Sequence, residues 1–174
     1  MPILYQLKAE VVTGAAMSED GASDRSHPEM SATGTAPSNA MHLRLLHDEE
    51  QLWDTYLDSP VTASLSKLFG TDQAAVYVGY GFQVHAFDML TGIRLWGLTT
   101  VYPIWSLMSI DPGTILVHCE LSLLAVTTLG EIIWEASHNE IIVSVELIGK
   151  KVKFTDFRRH VFYLDEHGSI AAVA

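Results

Sequence analysis

From Met41 onward, apolar and polar residues alternate. Met41, Leu43 and Leu45 are separated by His42 and Arg44, and this period of two predicts a strand of about seven residues. Asp48 breaks the alternation. With Gln51 three residues on, it makes a capping box, and Leu52, Trp53, Tyr56 and Leu57 then fall at helical spacing up to Ser59-Pro60. The pattern predicts a short amphipathic helix over 49–57, so that 41–60 reads as a strand plus a helix covering one edge or end of a sheet. Upstream, residues 1–12 suit either a short strand or a helix. Residues 13–40 are rich in Gly, Ala, Ser, Thr, Pro and Asp, with too few large apolar groups to offset the entropy of ordering them. A mostly disordered arm over 1–40 is expected.

Beyond residue 60 the pattern repeats with a period of 38. Gly92, Gly130 and Gly168 mark the period, and four residues past each stand Trp96, Trp134 and Ala172. Three apolar columns keep phase with the glycines: Phe69, Leu107 and Val145; Val78, Leu116 and Phe154; Ala86, Leu124 and Phe162. A periodicity of this length signals a repeat architecture. The units, about 61–100, 101–138 and 139–174, each read as four short strands: 61–69, 74–80, 83–87 and 93–98; then 104–110, 114–119, 121–126 and 131–136; then 141–147, 151–154, 160–164 and 169–173. Strands at this spacing, grouped in fours, predict an all-β, propeller-like fold of three antiparallel units preceded by a strand and a helix.

One set of residues carries a resemblance. Val76-Tyr77-Val78-Gly79, followed by Ala86, Asp88, Thr91, Gly92 and Trp96, is similar to the repeat of the quinoprotein-like (PQQ-like) β-propellers. The second unit keeps Ala125, Gly130 and Trp134, and the third keeps Gly168. The resemblance covers about residues 61–174 and implies that each tryptophan docks between neighbouring blades. It does not carry the redox chemistry across. Quinone-binding members are several times longer, many have an adjacent cysteine pair, and no position here matches their metal-binding Glu and Asn or their catalytic Asp. Asp88 and Thr91-Gly92 are expected to shape a turn, with Asp88 accepting backbone N–H bonds. Trp96 and Trp134 are expected to pack between blades rather than stack a ligand.

Charge narrows the partners. A formal net charge of -11 argues against general nucleic-acid binding, which needs a basic surface. Residues 101–149 hold six acids and no Lys or Arg, whereas residues 150–160 concentrate Lys150, Lys151, Lys153, Arg158 and Arg159 around Asp156. This basic hairpin is the polar cluster that stands out, as a seat for an acidic partner or as a solvated edge whose charges deter strand pairing. One cysteine, Cys119, excludes an internal disulfide, and the opening residues lack the features of a secretory signal, so a cytoplasmic location is expected. The longest apolar region, 115–134, is interrupted by His118, Glu120 and Glu131, and reads as strands rather than a membrane span.

His118 and Glu120 share a strand face, but no CxxC or HxxxH completes a metal site. No G-x-S-x-G elbow, phosphate loop or H-E-x-x-H helix is present. The expectation is a non-catalytic protein-binding or scaffold module with no cofactor, no metal and no membrane or nucleic-acid partner. A remnant quinoprotein-type oxidoreductase and a small immunity- or inhibitor-like protein are the alternatives. Three blades leave sheet edges open, so the reading also expects a homodimer that brings six blades together, the basic hairpin of the third unit facing the acidic second unit.

Overall fold

The computed structural model describes residues 5–12, 40–61, 63–70 and 74–171. The arm expected at 13–40 lies outside the described residues except for Ala40, and so does Ala172. Among the described residues, fifteen strands form four antiparallel sheets. A leading sheet holds β1 (Tyr5–Val12), β2 (Ala40–His47) and β3 (Glu50–Asp58). The first unit holds β4 (Ser66–Phe69), β5 (Ala75–Tyr80), β6 (Gln83–Asp88) and β7 (Arg94–Thr99). The second holds β8 (Ile104–Asp111), β9 (Thr114–Cys119), β10 (Ser122–Thr127) and β11 (Ile132–Ser137), and the third β12 (Ile142–Ile148), β13 (Lys151–Asp156), β14 (Val161–Leu164) and β15 (Ile170–Ala171). Within each sheet, strands pair antiparallel with their neighbours in chain order. The described residues thus form an all-β chain with three four-stranded units.

The helix expected over 49–57 is corrected: those residues lie in β3 and in the turn before it, and no described residue is helical. Asp48 and Glu49 both take positive φ, 48° and 72°, which is the geometry of a two-residue hairpin loop whose twist matches the flanking strands. Such loops are usually written Asn-Gly, so Asp-Glu gave no turn signal. Trp53 and Leu57, four apart, fit a helix face and a strand face equally well. The burial separates the two: Trp53 and Leu57 face inward with Thr55 between them, while Leu52 and Tyr56 point outward. The leading sheet is therefore a fourth, three-stranded blade.

Three apolar layers fill the spaces between successive sheets. Leu43, Leu45 and Trp53 meet Val76, Val78 and Phe87. Val84 and Ala86 meet Leu107, Val117 and Leu124, and Leu116 and Leu123 meet Val152, Phe154 and Leu164. In β9, Leu116 faces one layer and Val117 the other, so strands of the middle blades are buried on both faces. That explains their near-continuous apolar runs, where alternation would mark a half-exposed strand.

Candidate functional site

Each junction between blades is closed by one tryptophan resting on one glycine turn. The Trp96 indole N–H donates to the Thr128 carbonyl at 2.9 Å, and a Cβ on Gly130 would lie 2.8 Å from the ring. Trp134 lies over Gly168 in the same way, where an added Cβ would come within 2.7 Å. The sequence reading missed the first member. Trp53 donates to the Met89 carbonyl at 3.0 Å and its ring lies 2.5 Å from where a Gly92 Cβ would be. The three glycines hold φ of 70°, 90° and 75°, so the position rejects a side chain through both its backbone and its contact. Trp53 stands further ahead of its glycine than Trp96 and Trp134 do of theirs, and this five-residue offset hid it from the period. Asp88 accepts hydrogen bonds from the Leu90 and Thr91 amides at 3.0 and 2.8 Å and from the Thr91 hydroxyl at 2.8 Å, holding the turn that carries Gly92. These bonds keep its carboxyl below the usual range.

The basic residues do not form one patch. Lys150 and Lys151 lie at the β12–β13 turn, while Arg158 and Arg159 follow Asp156 at the opposite end of β13, about 16–20 Å away for a six-residue strand. Lys153 pairs with Glu146 at 2.9 Å and Arg158 with Glu140 at 2.6 Å. Lys150 and Lys151 border a shallow groove of about 240 Å³ with Asp165, Glu166 and His167, so acids sit among them.

The fourth tryptophan differs from the other three. Trp105 stands at the start of β8, is 42% exposed, and has Lys67 and Val143 as its repeat mates, so it is no part of the docking series. With Ala63, Ser64, Pro103 and Ile104 it lines a concavity of about 370 Å³. The surrounding backbone is pinned. The Ile104 amide donates to the Gly81 carbonyl at 2.7 Å, the Glu120 amide to the Pro103 carbonyl at 2.9 Å, and the Thr100 hydroxyl lies within bonding distance of the Phe82 and Tyr102 carbonyls at 3.0 and 2.8 Å.

The buried His118 sets its ring edge-on to Trp105, at a centroid distance of 5.5 Å. His118 Nε2 lies 2.9 Å from the Ile142 carbonyl, which only accepts, so Nε2 carries the proton and Nδ1 accepts from the Ser106 hydroxyl at 3.1 Å. Burial lowers the His118 pKa and keeps this tautomer neutral. The histidine is a strut between the second and third units. Next to it, the Phe157 amide donates to the Ile141 carbonyl at 2.8 Å and its ring is 68% exposed. Val101 and Val143 add exposed apolar surface at the same end of the sheets.

Chemistry at this end is limited by what surrounds the titratable groups. Asp156 is buried and accepts from the His160 amide at 2.8 Å, with His160 Nδ1 at 3.0 Å and His138 Nε2 at 3.4 Å. Burial alone raises the Asp156 pKa, and these bonds outweigh it and lower the carboxyl. The group ties the β13–β14 turn to the loop before β12. Burial pushes the Cys119 thiol up to about 11, which makes it a poor nucleophile. Among the described residues, no group of three or more His, Cys, Asp or Glu is gathered to hold a metal ion.

No protein-family model matches the chain, and no curated protein does. Solved structures do. BamB from Moraxella catarrhalis superposes with a TM-score of 0.52 at 18% identity, over 74% of this chain and 41% of BamB. The computationally designed Ika4 protein gives 0.57 at 13% identity, over 66% of this chain and 74% of Ika4. The WD40 β-propeller domain of Doa1 gives 0.57 at 9% identity, over 76% of this chain and 47% of that domain. The chain spans about two fifths of BamB and under half of the Doa1 domain. These likenesses, with the repeated sheets and the tryptophan docking, show a β-propeller-like fold.

Proposed function

We propose that the chain is a non-catalytic protein-binding module built on PQQ-like propeller repeats, and that its partner docks on the end of the fan around Trp105 and Phe157. The observation that carries this reading is the exposure of Trp105 on a backbone fixed by four hydrogen-bonded connections and a buried histidine strut. An aromatic held rigid at the surface loses little entropy on binding and is the residue type that dominates interface energies. The neighbouring Val101, Val143 and Phe157 supply apolar area, and Glu120, Arg158 and Arg159 supply a polar rim.

The test is capture of a stoichiometric partner by the intact chain from its host lysate, compared with Trp105→Ala and with Leu129→Ala, an exposed control at the opposite end. The reading expects the partner to be lost with Trp105→Ala and kept with the control, with both variants folded. Equal capture by both variants would reject the site. Turnover that depends on an added quinone and metal would favour the oxidoreductase alternative.

A further inference from the structure

The docked tryptophans establish which strand is outermost in each blade: β3 carries Trp53, β7 Trp96 and β11 Trp134. Counting inward from β3, β2 and β1 occupy the third and second places, as β6 and β5 do in the first unit. The innermost place belongs to β4, β8 and β12 in the units, and among the described residues no strand fills it beside β1. The Leu7 carbonyl faces that side, because Lys67 Nζ, from β4, donates to it at 3.0 Å. In an antiparallel ladder alternate residues turn the same way, so Tyr5, Leu7, Ala9 and Val11 present their amides and carbonyls to the open edge.

We propose that this edge binds one extended segment of a partner protein as the inner strand of the leading blade, with apolar residues at alternate positions and acidic residues between them. The other three blades each have one more strand at this place, and the reach of one lysine side chain from β4 to the Leu7 carbonyl sets β4 close beside the edge. Lys67 spans it from β4, so a second copy entering through its own β1 would drive its sheet into the first unit. On the side facing the first unit, the segment meets the layer formed by Leu7, Leu65 and Phe69, which calls for apolar residues. On the outer side it meets Lys8, whose cross-strand neighbour Arg44 is already taken by Glu10 at 2.6 Å. No ion pair of Lys8 is formed among the described residues.

The third unit, at the other end of the fan, already follows this rule. Its inner strand β12 turns Val145 and Leu147 inward and Glu146 outward, where Glu146 pairs with Lys153 of the second strand. An acid opposite Lys8, and another group taking over Lys67, would complete the leading blade in the same chemistry. Main-chain bonds supply affinity in this mode and the alternating side chains supply selection.

The probe is a fluorescein-labelled eight-residue peptide of alternating valine and glutamate, titrated into the full chain and followed by anisotropy and by amide hydrogen exchange of β1. Saturable binding is expected, with Leu7 and Ala9 exchange slowed about tenfold or more, as for newly paired amides. Lys8→Glu should weaken binding about tenfold, as for a like-charge juxtaposition, while Trp105→Ala leaves it unchanged. Should Lys8→Glu disturb folding, Lys8→Gln carries the same test. A peptide with lysine for glutamate, or with a central proline, should fail. Peptide binding that leaves β1 exchange unchanged, or that ignores the charge swap, would overturn the proposal. So would edge amides already protected in the free chain, which would mean that the chain fills this position itself, and so would a doubled mass in the free chain that falls as peptide is added, which would mean a second copy.

Discussion

Trp96 and Gly130 belong to successive units and make one contact, so neither can be changed without the other registering it. Trp96→Ala should cost about 3 kcal/mol, as for a large aromatic removed from a packed layer. Gly130→Ala should cost at least about 2 kcal/mol, through its left-handed backbone and the clash with the ring. In the double variant the clash disappears, so the combined loss in urea unfolding should fall short of the sum by about 1 kcal/mol or more. Strict additivity would mean that the ring and the turn act independently.

His85 offers a second test at this scale. It is 4% exposed, its Nδ1 has no hydrogen-bond partner among the described residues, and burial, with the Arg94 charge adding to it, pushes its pKa down to about 4. The unfolded chain binds this proton below about pH 6.5 and the fold does not until about pH 4. Between those limits the unfolded state holds more protons, so stability falls as pH falls, by on the order of 3 kcal/mol from this residue. His85→Leu, which installs the residue found at the equivalent position 123, should flatten that part of the pH profile. An unchanged slope would remove His85 as its source.

At the scale of elements, the β2–β3 hairpin separates the strand from the helix that the spacing suggested. Asp48→Asn with Glu49→Gly replaces two side chains held at positive φ by the pair that this turn favours, and should raise stability by about 1 kcal/mol in thermal unfolding. In a helical segment the same glycine would cost about 1 kcal/mol. The sign of the change therefore decides between them. The basic hairpin shows the complementary effect: residues close in sequence are parted because a strand carries each residue about 3.3 Å onward, and Lys150 and Arg158 end at opposite ends of the same blade.

At the scale of the whole molecule, the two outward faces of the fan differ from the three junctions inside it. The leading blade turns out Lys8, Glu10, Arg44 and Asp54, and the third unit Glu146, Lys151 and Lys153. Among the described residues neither face carries the tryptophan–glycine pair of the interior: the β2–β3 turn is Asp48-Glu49, and in the sequence Ala172 stands where the repeat would call for a fourth docking tryptophan. The homodimer expected from three blades would have to join these charged faces in place of the tryptophan–glycine contact used within the chain. Light scattering at micromolar protein should give 19.2 kDa in both low and high salt. A doubled mass confined to low salt would point to the charged faces pairing with each other.

Periodicity made the three units and their turns legible, because buried strands must repeat their apolar positions and glycine must recur wherever a tryptophan leaves no room for a Cβ. Asp88, Gly92, Trp96, Gly130, Trp134 and Gly168 could be read that way from the chain alone. The leading blade could not, since its turn lacks glycine, its tryptophan is out of phase with the other two, and residues four apart share a face in both a helix and a strand. The exposure of Trp105 could not be read either. Its start-of-strand position matches a lysine in one unit and a valine in the next, and only the packing of β8 against its neighbours leaves the indole at the surface while Trp53, Trp96 and Trp134 turn into the junctions. Local pattern determines which residues are apolar and how often they recur. Which apolar residues remain uncovered depends on contacts between segments of successive blades, far apart along the chain, and that was decided by the tertiary structure.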